Sequence, residues 1–150
     1  MSIRWCSPVG LALLVALWLG CVERPQAPAQ ARSNGRQITH VPPEARDAVR
    51  AEMRTMLASL HHILRAGLVG DTAAMREAAT RSGLATAADP ALEKLLPEGF
   101  LQLGVDTHQE FDDLASALAT GLPRDSITGR LVRITGNCVS CHASYGLELR

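Results

Sequence analysis

The chain has 150 residues, 15 basic and 15 acidic side chains, and 47% hydrophobic residues. That suffices for one domain with a core of its own, and the even charge excludes the basic excess of a nucleic-acid binder. Aromatic residues make up only 3%, and with Trp5 and Trp18 near the start, Phe100, Phe111 and Tyr145 are left for the rest. Such a core must be filled by Ala, Leu, Met and Val, or by bulk that is not an amino acid.

Residues 1–21 read as a targeting segment. Arg4 supplies a positive start, and Val9 to Leu19 is an apolar run. It is too short for a bilayer span, which needs ~20 helical residues, but it suits the apolar region of a signal peptide. The run ends in Trp18-Leu19-Gly20-Cys21, which resembles a bacterial lipobox, with Trp18 departing from the usual Leu. The resemblance implies lipidation of Cys21 and a membrane contact through lipid alone; the plainer alternative is ordinary cleavage nearby. Residues 22–41 carry Pro, Ala, Gln and Arg without apolar periodicity and read as a flexible tether that includes His40.

From residue 42 the pattern turns helical. Pro43, Glu44 and Asp47 suit a helix start. Ala45, Ala48, Val49, Met53, Met56, Leu57, Leu60, Ile63 and Leu64 then recur as one helix face. Arg46, Arg50 and Arg54 read as a solvated stripe, and Gly67 and Gly70 end the segment. Asp71 or Thr72 can cap a second helix through Met75, Ala78 and Ala79, closed by Gly83. Asp89-Pro90 marks a turn. A third helix runs from about Glu98 to Thr120 with Leu101, Gly104, Val105, His108, Phe111, Ala115 and Leu118 on one face. The fourth begins at Asp125 or Ser126 and aligns Ile127, Leu131, Ile134, Cys138, Cys141, His142 and Tyr145 on one stripe, which predicts a buried face for both cysteines and the histidine. No strand-like alternation of useful length is present. The expectation is an all-α fold, an antiparallel four-helix bundle over 42–150.

The chemistry concentrates in Cys138-Val139-Ser140-Cys141-His142. A C-x-x-C-H run in an exported protein is the attachment signal of a c-type haem. Two thiols at i and i+3 leave one side of a helix and can bond the two vinyl groups on one porphyrin edge, and the adjacent His142 can reach the iron. A thioredoxin-like reading needs a βαβ context, and a zinc site needs a fourth ligand at finger spacing; neither is present. If Cys6 leaves with the signal and Cys21 takes lipid, only Cys138 and Cys141 remain; a disulfide between those two stays open as an alternative, with no wider framework to be read.

A C-x-x-C-H motif on the last of four helices resembles the class II c-type cytochromes, the cytochrome c′ family and its low-spin relatives. The likeness covers roughly Pro42 to Arg150, with a softer match at Pro43-Glu44, Arg50 and Met53 and at Phe100 to Phe111. It implies one covalent haem c within a four-helix bundle, Cys138 and Cys141 as thioether residues and His142 as proximal iron ligand. In the family the first helix faces the distal side of the iron. Met53 is the nearest match there, Met56 a second, and counting from the helix end instead lands near Arg50. Both methionines have the plain reading of core residues. His108 competes as a distal ligand or pocket residue, with the plain reading of a hydrogen-bonded core histidine; His61 and His62 suit the surface.

The leading functional expectation is a non-enzymatic one-electron carrier, exported to the periplasmic space, anchored by lipid and exchanging electrons with partner proteins. The alternative is a five-coordinate haem that binds NO or CO as a sensor or scavenger, its pocket lined by Val49, Met53 or Leu57. A peroxidase-like enzyme with His108 as distal base is the third. A homodimer through the first two helices, with Ala73, Ala74, Ala78 and Ala79 allowing close contact, is a further expectation.

Overall fold

The computed structural model describes residues 35–87, 90–121 and 123–150. The chain is mostly helical, with four α-helices and a two-stranded sheet among the described residues: β1 (Gln37–Val41), α1 (Pro43–Val69), α2 (Thr72–Thr80), α3 (Glu98–Ala119), α4 (Arg124–Ser144) and β2 (Tyr145–Leu149). Two short 3₁₀ turns, Leu84–Thr86 and Pro90–Leu92, lie between α2 and α3. The expected signal segment, the lipidation at Cys21, most of the tether and Asp89 lie outside the described residues.

Helix starts and stops follow local chemistry. Helices α1, α3 and α4 each begin beside an extended proline, Pro42, Pro97 and Pro123. Proline sets φ near helical values and disfavours helix in the residue before it. α1 stops where Gly70 turns left-handed at φ 74°, its N–H donating to the Ala66 and Gly67 carbonyls; this is a conformation glycine adopts without a Cβ penalty. The Asp71 carboxylate then accepts from Ala74 N–H and caps α2. That saturates one of the donors a helix start leaves open.

Two apolar clusters hold the unit together. The larger joins α1, α2, α3 and α4 through Leu60, Ile63, Met75, Ala78, Ala79, Phe111, Leu114, Leu118 and Ile134. Phe111, Leu114, Ile63 and Ile134 are fully buried, each worth about 1.5–3 kcal/mol over an exposed side chain. The small faces of Ala78 and Ala79 let α2 sit close, and both are fully buried; they are therefore core residues and not the dimer contact expected of them. The second cluster lies toward the sheet: Val41, Ala45, Val49, Leu92, Leu96 and Phe100, with Met53, Leu95, Leu101, Cys141, Tyr145 and Leu147 packed on it.

The sheet corrects the sequence reading. β1 and β2 pair in parallel, from Gln37 opposite Tyr145 to Val41 opposite Leu149. Gln37–Val41 is therefore paired strand and not part of a tether, and His40 faces Glu148 at 3.6 Å. Arg150 extends the pairing: its backbone N–H donates to the Val41 carbonyl and its Nε to the His40 carbonyl. Tyr145 continues the helical spacing of α4, yet it turns extended at φ −127°, ψ 151° and opens β2.

Packing between helices is uneven. α1 packs on α2, α2 on α3 and α3 on α4, whereas α1 and α4 make few direct contacts. On α1 Leu57 and Leu64 stay exposed (67% and 59%), and on α4 Val132 and Val139 do so (64% and 69%). The expected apolar face of α1 is thus only partly covered: Ala48, Leu57 and Leu64 are exposed.

Candidate functional site

Cys138 and Cys141 lie one turn apart on α4, both free thiols and both half-buried. Cys141 packs on the sheet-side cluster beside Tyr145, and Met53 of α1 packs on that same cluster. The structure thus brings a motif cysteine and Met53 to one apolar region, from helices distant in sequence. His142 follows Cys141 in the last turn of α4 and is exposed. The predicted buried face is therefore corrected at the histidine: α4 covers its two thiols in part and leaves the imidazole open.

Burial pushes both thiols up, and at Cys141 the neighbouring Cys138 adds to the push. Neither is a ready thiolate at neutral pH, the form a reactive redox cysteine or a zinc ligand uses. Among the described residues no three His, Cys, Asp or Glu side chains come together as a metal cage. The pair is built as two protonated thiols, of which Cys141 lies on a hydrophobic cluster.

Tyr145 closes the region from the strand side. Its ring meets Phe100 edge-on, centroids 5.7 Å apart, a favoured arrangement for two aromatic quadrupoles. Its phenol oxygen occupies the space a Cβ on Gly99 would need. Glycine at the first turn of α3 is what admits the ring.

His108 lies elsewhere in function. It is 3% exposed, its Nδ1 is 2.8 Å from the Ser82 carbonyl and its Nε2 2.7 Å from Glu52 Oε1. A carbonyl only accepts and an ionised carboxylate only accepts, so the ring donates from both nitrogens as an imidazolium. Burial, the largest single influence, pulls its pKa down. The Glu52 hydrogen bond, the Ser82 carbonyl, the Glu52 charge and the Gly83 carbonyl outweigh it, and the pKa lies above its ordinary value. With both nitrogens engaged no lone pair is left for a metal in this arrangement, which favours the plain reading of a hydrogen-bonded core histidine over the distal-ligand and distal-base readings. His108 instead staples α3 to α1 and to the segment after α2, beside the buried Ser82–Ser59 hydroxyl pair at 2.9 Å. Sequence reasoning singled out the histidine and missed Glu52, whose signal was a lone acid on the inward side of α1.

The remaining expected residues fall as follows. Met56 is half-buried against the larger cluster, away from Cys141. Val49 is buried in the sheet-side cluster, whereas Leu57 is too exposed to line a pocket there. His61 and His62 touch edge-on at 5.7 Å and are exposed, as expected. Arg50 and Arg54 are solvated, but Arg46 is half-buried.

A covalent haem would need two thiols at one helical turn, a neighbouring imidazole, apolar walls and donors for two carboxylates. The first three are present in Cys138, Cys141, His142 and the Val49–Met53–Phe100 surface. For the fourth, two buried guanidinium nitrogens, Arg36 Nε and Arg46 Nε, have no hydrogen-bond partner. The donor set fits the group. Comparison with family models, with curated proteins and with solved structures returns no match.

Proposed function

We propose that this chain is a c-type haem protein of the class II kind, a helical bundle that carries one haem on α4 and serves as an exported one-electron carrier. The observation that carries the reading is the placement of Cys138 and Cys141 as free, half-buried thiols one turn apart, with Cys141 on the same apolar cluster as Met53. In this reading Cys138 and Cys141 would hold the haem by thioether bonds, His142 would be the iron ligand from α4, and Met53 is the candidate second ligand from α1. The bound group supplies a metal that cycles between two oxidation states.

The residues of the chain set how that happens. α1 and α4 make few direct contacts, and Met53 of α1 and Cys141 of α4 meet through the sheet-side cluster on which both pack. The exposure of His142 leaves its imidazole free to reach a group bound beside α4. Protonated thiols resist pairing with each other before they are used. Lipid on Cys21 would hold the carrier at the membrane; among the described residues no helix is long and apolar enough to cross one.

The test uses the full chain matured in an exporting bacterial host. Acid–acetone extraction should leave the haem on the polypeptide, and the reduced spectrum should show sharp low-spin bands that carbon monoxide does not change. Extraction of the haem overturns the attachment. A reduced spectrum that carbon monoxide shifts overturns the carrier reading and favours the gas-binding one.

A further inference from the structure

Three buried polar side-chain atoms have no hydrogen-bond partner among the described residues: Arg36 Nε, Arg46 Nε and Glu110 Oε2. The glutamate is partly accounted for, since its other oxygen accepts from Arg133 Nε at 3.0 Å. The two arginines are not. A buried donor without an acceptor is costly and rare in folded proteins, and here it occurs twice on or beside elements that contribute to the sheet-side cluster.

That cluster is the one on which Cys141 of the motif packs. Arg36 directly precedes β1, and its guanidinium lies over Gly146 of β2, four residues past His142. Arg46 lies in the early part of α1, at i, i+3 and i+7 with Val49 and Met53, and so on one flank of the helix. Val49 and Met53 both belong to the cluster that receives Cys141. The nearest acid to Arg46 is the adjacent Asp47, at 3.9 Å from Nε, beyond hydrogen-bond range. Asp47 is also largely exposed, so it leaves the buried nitrogen unsatisfied.

We propose that Arg36 and Arg46 are a carboxylate-binding pair for the two haem propionates, at the β1–β2 end of the helical unit. The proposal rests on the haem reading above. The planar guanidinium presents parallel N–H donors that match a carboxylate, and there are two such groups for two propionates. The same flank of α1 then carries both the candidate iron contact, Met53, and one of the two propionate donors, Arg46. The other α1 arginines, Arg50 and Arg54, are exposed and take no part. Because the thioethers on Cys138 and Cys141 hold the cofactor irrespective of the arginines, the pair positions the haem and tunes it without being needed to retain it.

The experiment compares the matured holoprotein with Arg36→Gln, Arg46→Gln and the double variant, with Arg54→Gln as the exposed control. Haem per chain and helical circular dichroism are measured on every sample. If the wild type itself carries no haem, the haem reading fails, and that is seen before any variant is compared. With haem present, the resonance Raman propionate-bending band should shift in each single variant and further in the double. The midpoint potential should fall in the same order, since removing positive charge beside the haem favours the ferric state. Arg54→Gln should match wild type in both. Arg46→Lys should restore the potential more fully than the Raman band, because it returns the charge without the planar donor pair. An unmoved band in the double variant overturns the proposal. That result includes the case in which the arginines serve a carboxylate of another molecule, because the isolated holoprotein reports on its propionates alone.

Discussion

At the scale of single residues, the two methionines of α1 separate by which cluster they join. Met53 packs with Cys141 and Tyr145, and Met56 packs with the core beneath α2. On the haem reading Met53→Ala turns a low-spin spectrum high-spin. Met56→Ala leaves the spectrum alone and costs about 1–2 kcal/mol, below the ~2–5 kcal/mol of a fully buried methionine. Identical spectra for wild type and Met53→Ala would remove Met53 as a ligand. His108 carries a different prediction. The folded state holds its proton more tightly than the unfolded chain, whose ordinary value is 6.5. The staple therefore contributes fully below pH 6.5 and is lost as the pH rises through the higher folded-state value. Thermal melting from pH 5.5 to 9 should show wild type losing an advantage over His108→Gln that it holds at the acid end; parallel curves would sink this account. That His108 is structural was legible in the sequence only as one of two readings. The choice needed Glu52 and Ser82, which lie 56 and 26 positions away.

At the scale of elements, the helices were legible because each carries its own punctuation. Pro43, Asp71, Gly70 and Glu98 act within a turn of where they stand, so local chemistry set those boundaries closely. The strands were not legible, for a physical reason. Tyr145 satisfies the helical stripe of α4, and the partner that pulls it into a strand lies at Gln37, beyond the reach of any periodicity. Coverage was equally hidden: the apolar spacing of α1 runs through Leu57 and Leu64, but which flank is covered depends on neighbours. The segment between α2 and α3 offers a test at this scale. Asp112 of α3 accepts from Leu84 N–H at 2.9 Å, and a Cβ on Gly83 would collide with that carboxylate. Gly83→Ala should therefore break the link and destabilise the protein by about 1–3 kcal/mol, the cost of overpacking. Chemical denaturation measures it, and an unchanged midpoint would show that Asp112 yields freely.

At the scale of the whole molecule, a chain with so few rings closes only part of its surface by helix packing. Leu57 and Leu64 on α1 and Val132 and Val139 on α4 remain open to solvent. If a porphyrin covers part of that surface, the loaded protein should melt higher than Cys138→Ser/Cys141→Ser and bind less of an apolar dye; equal melting and equal dye binding would argue that nothing large sits there. The parallel pairing of β1 with β2 has a mechanical meaning as well. Its strands run in the same direction, so tension that pulls Gln37 one way and Leu149 the other slides them past each other lengthwise. Such a load falls on the whole ladder of backbone hydrogen bonds together, where a hairpin pulled at its open end yields one bond at a time. The strand that leaves the motif helix is thus a shear clamp, and stretching the folded chain between its two ends would have to break that clamp before it could unwind α4 or disturb His142.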